Sequence, residues 1–296
     1  MSRTPEGDFH RYLESKVTVD DRALNPRVWN AFADAVAGIE ARRPPVVMEP
    51  GGGIGTMLER FLDHGMFTSA RYTLVDSDAE AVRTARSRLE RRRSTILHAG
   101  RFPEVEYVGA DALKTVENMR SRAQAVDAVV GHAFLDLTDV RDSVPRFLSV
   151  LSPGGLFYFT LNYDGVTHFW PQLDPVEDPK IEALYTQTMR RKTPNGSLTS
   201  GGRSGRELFG VLAAEGARIT EAGSSDWVVY PRDCRYPGDE AYFLHYILGF
   251  VEEALTGHEE LDPGLFREWL SRRRRQIDAG ELVYVAHQLD FTGTLG

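Results

Sequence analysis

The chain has 296 residues, is 42% hydrophobic and 26% charged, and carries a net charge of −8. At about 150 residues per domain this length suits two domains or one enlarged α/β domain, either able to bury a core without covalent staples. A single cysteine, Cys234, excludes a disulfide framework and a cysteine-based zinc site, and the acidic balance argues against a nucleic-acid partner. No apolar run is long enough to span a membrane. The polar start MSRTPEGDFHRYLE has no signal-peptide core, so a soluble cytoplasmic protein with no membrane association is expected.

The stretch from Lys16 to Pro26 is dense in functional groups. It precedes a helix, Arg27–Ile39, whose Val28, Phe32, Val36 and Ile39 form an apolar stripe. One reading is helix capping with surface charge. The other is a lid in which Arg22 or Lys16 holds a substrate anion and Asp20 or Asp21 holds a cation. Strands are expected at Val46–Glu49, Tyr72–Asp76, Val105–Val108, Ala128–Gly131 and Leu156–Leu161. Helix-like stretches separate them: Ile54–His64, Asp78–Arg93, Asp111–Ala123 and Asp139–Leu151. That alternation implies βαβ units and a parallel sheet, with continuous apolar runs such as AVVG buried on both faces.

The pattern then changes. Residues 163–203 read as a long connection containing a helix around Lys180–Arg191. Ser204 with Glu207 reads as a capping box opening the helix Ser204–Glu215, which Gly216 ends. A strand at Ile219–Tyr230, broken near Gly223, helices at Asp239–Leu255 and Pro263–Arg275, and a last strand at Leu282–Leu289 complete the chain. The arginine runs 91–93 and 272–275 read as solvated helix ends.

The most informative segment is Val46-Val47-Met48-Glu49-Pro50-Gly51-Gly52-Gly53-Ile54-Gly55-Thr56, a strand, a glycine-rich turn and a helix start. Glycines let the backbone turn sharply and approach a ligand closely. A dinucleotide fingerprint would require glycine at position 56, which is Thr. The spacing fits E-x-G-x-G-x-G through Glu49, Gly51, Gly53 and Gly55. Leu74-Val75-Asp76 ends the next strand with an acid, Gly109-Ala110-Asp111-Ala112 closes the third, Val126–Leu135 follows the fourth-strand pattern, and Leu151-Ser152-Pro153-Gly154-Gly155 turns into the fifth. In this order, over roughly residues 45 to 161, these features resemble the class I S-adenosylmethionine (SAM) dependent methyltransferases.

That resemblance implies a Rossmann-like, seven-stranded, mostly parallel sheet with an antiparallel last strand and helices on both faces. Beside that pattern the chain reads as one catalytic domain, 45–296, with helical insertions over the cofactor rim at about 163–203 and 231–280, behind an N-terminal helical cap, 1–44; the cap and the insertions are not family-wide features. The resemblance also implies SAM as cofactor. Glu49, Gly51, Gly53 and Gly55 would shape its methionine end, Asp76 would hold the ribose, and Asp111 with Ala112 the adenine; His132 would lie beside it. Asp111 also reads as a helix N-cap.

Methyl transfer needs the acceptor aligned with the methyl, and a base only where the acceptor must lose a proton. His245, Tyr163 and His132 are the catalytic candidates, with Arg22, Asn162, Asp164 and Tyr242 as substrate contacts. His287 reads as structural, lying toward the far end of its strand, and the scattered histidines give no metal-ligand spacing. The expected function is methyl transfer to an O or N atom of a small molecule, because ligands of such sheets bind at the carboxyl ends of the strands and the insertions should roof that rim. A non-catalytic SAM-binding regulator, an NAD-dependent oxidoreductase and a nucleic-acid or protein methyltransferase are the rival readings. The roof helices could make a homodimer contact.

Overall fold

The computed structural model describes residues 9–101, 103–190 and 198–296. Three helices open it: α1 (Phe9–Ser15), α2 (Val17–Ala23) and α3 (Pro26–Glu40). The Asn25 side chain caps α3 by accepting from the Arg27 and Val28 N–H groups, with Pro26 in the first turn. The stripe Val28, Phe32 and Val36 is buried as its spacing requires.

The βα alternation then runs β1 (Val46–Pro50), α4 (Thr56–Asp63), β2 (Arg71–Asp76), α5 (Ala79–His98), β3 (Glu104–Gly109), α6 (Ala112–Ser121), β4 (Val126–His132), α7 (Val140–Leu148) and β5 (Leu151–Trp170). The second half adds α8 (Glu177–Thr188), α9 (Ser204–Ala214), β6 (Ala217–Ser224), β7 (Trp227–Val229), α10 (Glu240–Leu255), α11 (Pro263–Asp278) and β8 (Val283–Leu295). Strand order is β3-β2-β1-β4-β5-β8-β6, with β7 pairing β8 as an eighth strand. β1 through β5 pair in parallel, and β8 runs antiparallel to β5, β6 and β7. This is the expected Rossmann-like sheet with one short strand added.

Three expectations about the second half need correction. Residues 163–170 are strand, not connection: β5 continues past the tip of β4, where His132 pairs with Thr160, and its far half pairs with β8 from Tyr163↔Gln288 to Trp170↔Val283. A bulge at Leu161 (φ +55°) lets the chain continue, and Asp290 fixes it by accepting from the Leu161 N–H (2.7 Å) and the Asn25 N–H (2.8 Å). The Ser204/Glu207 capping box is not made. Ser204 Oγ donates to the Tyr163 carbonyl, and Glu207 accepts from Ser200 Oγ. The break between β6 and β7 falls at Ser225–Asp226, not Gly223. Of the helix expected around Lys180–Arg191, α8 carries the described part, and Arg191 lies outside the described residues.

Two hydrophobic clusters fill the faces of the main sheet. One, with Phe32, Phe61 and Tyr158, lies under α3 and α4; the other, with Phe147, Phe157 and Phe291, lies under α7 and α9. A third is built on the overhanging ribbon of β5, β7 and β8. It joins Tyr12 and Val19 of the N-terminal helices to Tyr163, Phe169, Tyr185, Phe243, Trp269 and Tyr284. Beneath it Arg273 is completely buried, donating to Asp178 (2.8 Å) and to the Pro171 and Phe169 carbonyls. That corrects the reading of run 272–275 as a solvated helix end: one of its four arginines ties α11 to α8.

Candidate functional site

The glycine turn at the tip of β1 adopts backbone that its residues permit. Gly51, Gly53 and Gly55 have φ of +69°, +51° and +81°. A Cβ on Gly51 would fall 2.1 Å from the Phe134 ring, so this position is closed to any side chain. Gly53 faces only Leu13 of α1, at 3.7 Å. Asp76, at the tip of β2, accepts the Gly53 N–H (2.8 Å) and the Asp78 N–H (2.8 Å), and thereby holds turn and strand tip together. Asp111 caps α6 by accepting from the Lys114 N–H, and Ala112 begins that helix. Both roles considered for Asp111 remain compatible, because one carboxylate oxygen does the capping and the residue is exposed.

Glu49 is buried with one partner, the Tyr72 hydroxyl at 2.8 Å. Burial pushes its carboxyl up to about 8, with Tyr72 and Arg60 opposing and Asp76 adding to the rise. A buried acid kept near neutrality beside a glycine turn suits a cationic ligand group. Together with the turn and the acids at the tips of β2 and β3, it fits SAM, whose methionine end carries an ammonium and whose sulfur is positive.

α1 lies across this rim. Leu13 meets the glycine turn, His10 Nε2 pairs with Asp78 (3.2 Å), and Glu14 pairs with Arg88 of α5 (3.0 Å). On the other side Arg11 pairs with Asp239 (2.9 Å), and the Tyr12 ring stacks on Tyr246 at 4.5 Å.

Beneath α2 lies a buried charged network. Asp20 accepts from Lys16 Nζ (2.8 Å) and Trp227 Nε1 (2.9 Å) and lies 3.6 Å from Arg60 Nη2. Burial alone would raise the Asp20 carboxyl, but Lys16, His132 and Arg60 outweigh it and hold it well below the usual carboxylate range. Arg60 also donates to Asp21 (2.5 Å), to Thr56 Oγ1 and to His132 Nε2.

Of the catalytic candidates, Tyr163 alone faces the roof core. Its hydroxyl meets Thr167 Oγ1 at 2.6 Å and Thr186 Oγ1 at 3.3 Å. His132 is at the β4 tip but buried, with both ring nitrogens engaged; burial takes its pKa down to about 4. His245 points away and bonds Asp278 of α11 at 2.9 Å.

The substrate candidates are placed elsewhere. Arg22 grips Glu240, itself 0% exposed, through two bonds of 2.6 and 2.9 Å. Asp164 holds α9 through the Arg206 backbone and side chain. Asn162 pairs opposite Leu289 and donates to its carbonyl, on the α9 side of the sheet. Tyr242 lies under the Arg11 guanidinium at 3.9 Å. Their polar groups dock elements that are distant in sequence, except Asn162 Oδ1, which is buried without a hydrogen-bond partner. His287 is in the first half of β8, on the overhang, because the strand continues to Leu295; it bonds Asp226 at 2.8 Å.

Sequence reasoning missed Asp136. It sits on the short 3-10 turn Leu135–Leu137 after β4, and its Oδ1 is fully buried with no hydrogen-bond partner. Burial pushes its carboxyl up to about 6, against the pull of Lys16. An acid four residues after a strand end reads as ordinary helix-entry chemistry, so no local signal marked it.

Residues 48–159 match the profile of the methyltransferase domain family. That segment runs from β1 to β5 and carries the glycine turn and the acids Asp76 and Asp111. No curated protein matches the chain. Among solved structures the chain is similar to a SAM-dependent methyltransferase from Geobacter sulfurreducens in complex with S-adenosyl-L-homocysteine. Identity is 15%, coverage is 93% of each chain, and the TM-score is 0.46. It is also similar to the cyclopropane synthase MmaA2 from Mycobacterium tuberculosis (13% identity, 89% and 83% coverage, TM-score 0.43). A third is the geranyl diphosphate C-methyltransferase from Streptomyces coelicolor A3(2) (11% identity, 91% and 81% coverage, TM-score 0.43).

Proposed function

We propose that the chain transfers the methyl group of SAM to an O or N atom of a small molecule held beneath the N-terminal helices. The observation that carries this reading is Asp136 Oδ1: one carboxylate oxygen, buried without a hydrogen-bond partner, on the turn that follows the strand tip beside the glycine turn. An orphaned buried oxygen costs about 1–3 kcal/mol unless something completes it, and a bound acceptor would do so.

SAM supplies an electrophilic methyl when bound. Glu49 would take the ionised form opposite its cationic end, Asp76 would accept from the ribose with its remaining lone pairs, and the backbone of Gly51–Gly55 would make the close approach. α1 and the aromatic roof exclude water from the transfer, while Asp136 orients the acceptor and can take up a proton near neutral pH. The closed rim favours a small acceptor over a polymer.

The reading is tested by incubating the purified chain with methyl-labelled SAM and a small-molecule extract. Label should enter the low-molecular-weight fraction, and Asp136→Asn should reduce this at least about tenfold. Label appearing only in protein or nucleic acid would overturn the choice of acceptor.

A further inference from the structure

The first two helices are held to the molecule in different ways. α2 is tied down by buried charge. Its Arg22 and Thr18 donate to Glu240, whose side chain is 0% exposed. Its Asp20 lies among Lys16, Trp227 and Arg60, and Arg60 also donates to the Val17 carbonyl. Lifting α2 would leave these groups buried and unpaired, which is strongly unfavourable.

α1 is held chiefly at the surface. Arg11 and Asp239 keep 56% and 47% of their side chains in solvent, and Glu14, paired with Arg88, keeps 51%. Such exposed pairs add little stability. Two side chains of α1 are buried, Tyr12 and Ser15. Ser15 Oγ donates back to the Tyr12 carbonyl (2.8 Å), so the main anchor is the Tyr12 ring, stacked on Tyr246 and Phe243 of α10. A helix of seven residues has little stability of its own. Lys16 is the single residue that joins α1 to α2.

α1 also lies where the methionine end of the cofactor is assigned. Leu13 Cδ1 stands 3.7 Å from the point that a Cβ on Gly53 would occupy, against the glycine turn. His10 and Glu14, one helical turn apart, reach Asp78 at the start of α5 and Arg88 within it, which pins the helix across the turn. The adenosine end is open by contrast: Gly109 and Asp111, at the tip of β3, are exposed.

We propose that α1 is a flap hinged at Ser15–Lys16. It opens without α2, and it has to lift Leu13 off Gly53 before the methionine end of the cofactor can bind. The proposal rests on the cofactor placement above and adds an order to it. The adenosine end meets Asp76 and Asp111 first, and the methionine end follows when α1 lifts. The Tyr12 ring, returning to α10, closes the flap.

The test compares S-adenosylhomocysteine with adenosine, which lacks the amino-acid end, on the full chain by stopped-flow fluorescence and calorimetry. Leu13→Ala should speed association of S-adenosylhomocysteine about fivefold or more, because a conformational step limits it, and leave adenosine unchanged. The second measurement holds the flap shut. Cys234, which is exposed, is first replaced by Ser. Glu14→Cys and Arg88→Cys are then joined by a short bismaleimide. The tethered chain should bind S-adenosylhomocysteine at least about tenfold more weakly and still bind adenosine. Equal effects on the two ligands, or a tethered chain that binds S-adenosylhomocysteine as well as the untethered one, overturn the flap alone. Slower association in Leu13→Ala does the same, since Leu13 would then be a wall of the site rather than its cover. Failure of the untethered chain to bind either ligand overturns the cofactor placement with it.

Discussion

Arg60 Nη1 and Asp20 Oδ2 both meet His132 Nε2, at 3.1 and 3.3 Å, while Nδ1 lies 2.9 Å from Thr160 Oγ1. Both ring nitrogens are engaged, and burial takes the pKa down to about 4. The ring at the strand tip is a neutral fixture at neutral pH.

A pH signature follows. His132 titrates near 6.5 when exposed and is pushed down to about 4 in the fold by burial, with Asp20 opposing and Arg60 assisting. The unfolded chain therefore binds the extra proton between these values, and the stability tied to neutral His132 is whole above about 6.5 and lost as pH falls toward 4. By pH 5 the loss is about 2 kcal/mol. Urea unfolding of His132→Asn at pH 7 and pH 5 should show a shallower pH dependence than the wild type. Parallel curves would mean that the imidazole is charged in the fold.

Glu49 has the opposite sign. Its folded value of about 8 lies above the ordinary 4.5, so the protein alone holds this carboxyl protonated at neutral pH. Binding a cationic cofactor beside it should release up to one proton at pH 7. Titrations of S-adenosylmethionine in buffers of different ionisation enthalpy measure this directly. Release should disappear in Glu49→Gln, and buffer-independent heats in the wild type would contradict the placement.

The Gly51 turn gives a steric prediction. A Cβ there meets the Phe134 ring at 2.1 Å, on backbone with φ +69°. Gly51→Ala should cost about 2–4 kcal/mol from strain and overpacking together. Adding Phe134→Ala should relieve part of the steric component, which a double-mutant cycle of urea midpoints reads out. Strict additivity would show that the two positions do not touch.

Arg22 was expected at the substrate and instead anchors α2 to α10. Glu240 is buried and accepts from Arg22 twice and from Thr18 Oγ1 at 2.6 Å. Arg22→Ala leaves that carboxylate unpaired and should destabilise by about 2–4 kcal/mol, allowing for the third of the arginine still in solvent. Cleavage by a protease near α2 should accelerate correspondingly. His245→Ala, which loses only a surface bond to Asp278, should change stability by no more than about 0.5 kcal/mol.

What the sequence revealed and concealed divides by range. The strand–turn–helix at Val46–Thr56, the acids Asp76 and Asp111 and the parallel order are written in contiguous residues, and their local chemistry carries them. The roof core is assembled from Tyr12, Tyr163, Tyr185 and Tyr284, on four separate segments of the chain. No spacing rule joins such residues. Arg22 and Glu240, 218 positions apart, show the same limit: each looks like a free charge until the fold pairs them. The overhang of β5 and β8 was hidden because Asn162, Asp164 and Gly165 carry turn chemistry, and the bulge at Leu161 that keeps the strand going depends on Asp290.

The most direct test of the account is calorimetric titration of S-adenosylhomocysteine into the purified full chain and into Asp76→Ala. Asp76 fixes the glycine turn and is assigned the ribose, so the wild type should bind at one saturable site and the variant at least about tenfold more weakly. No binding by the wild type, or equal binding by the variant, would contradict it.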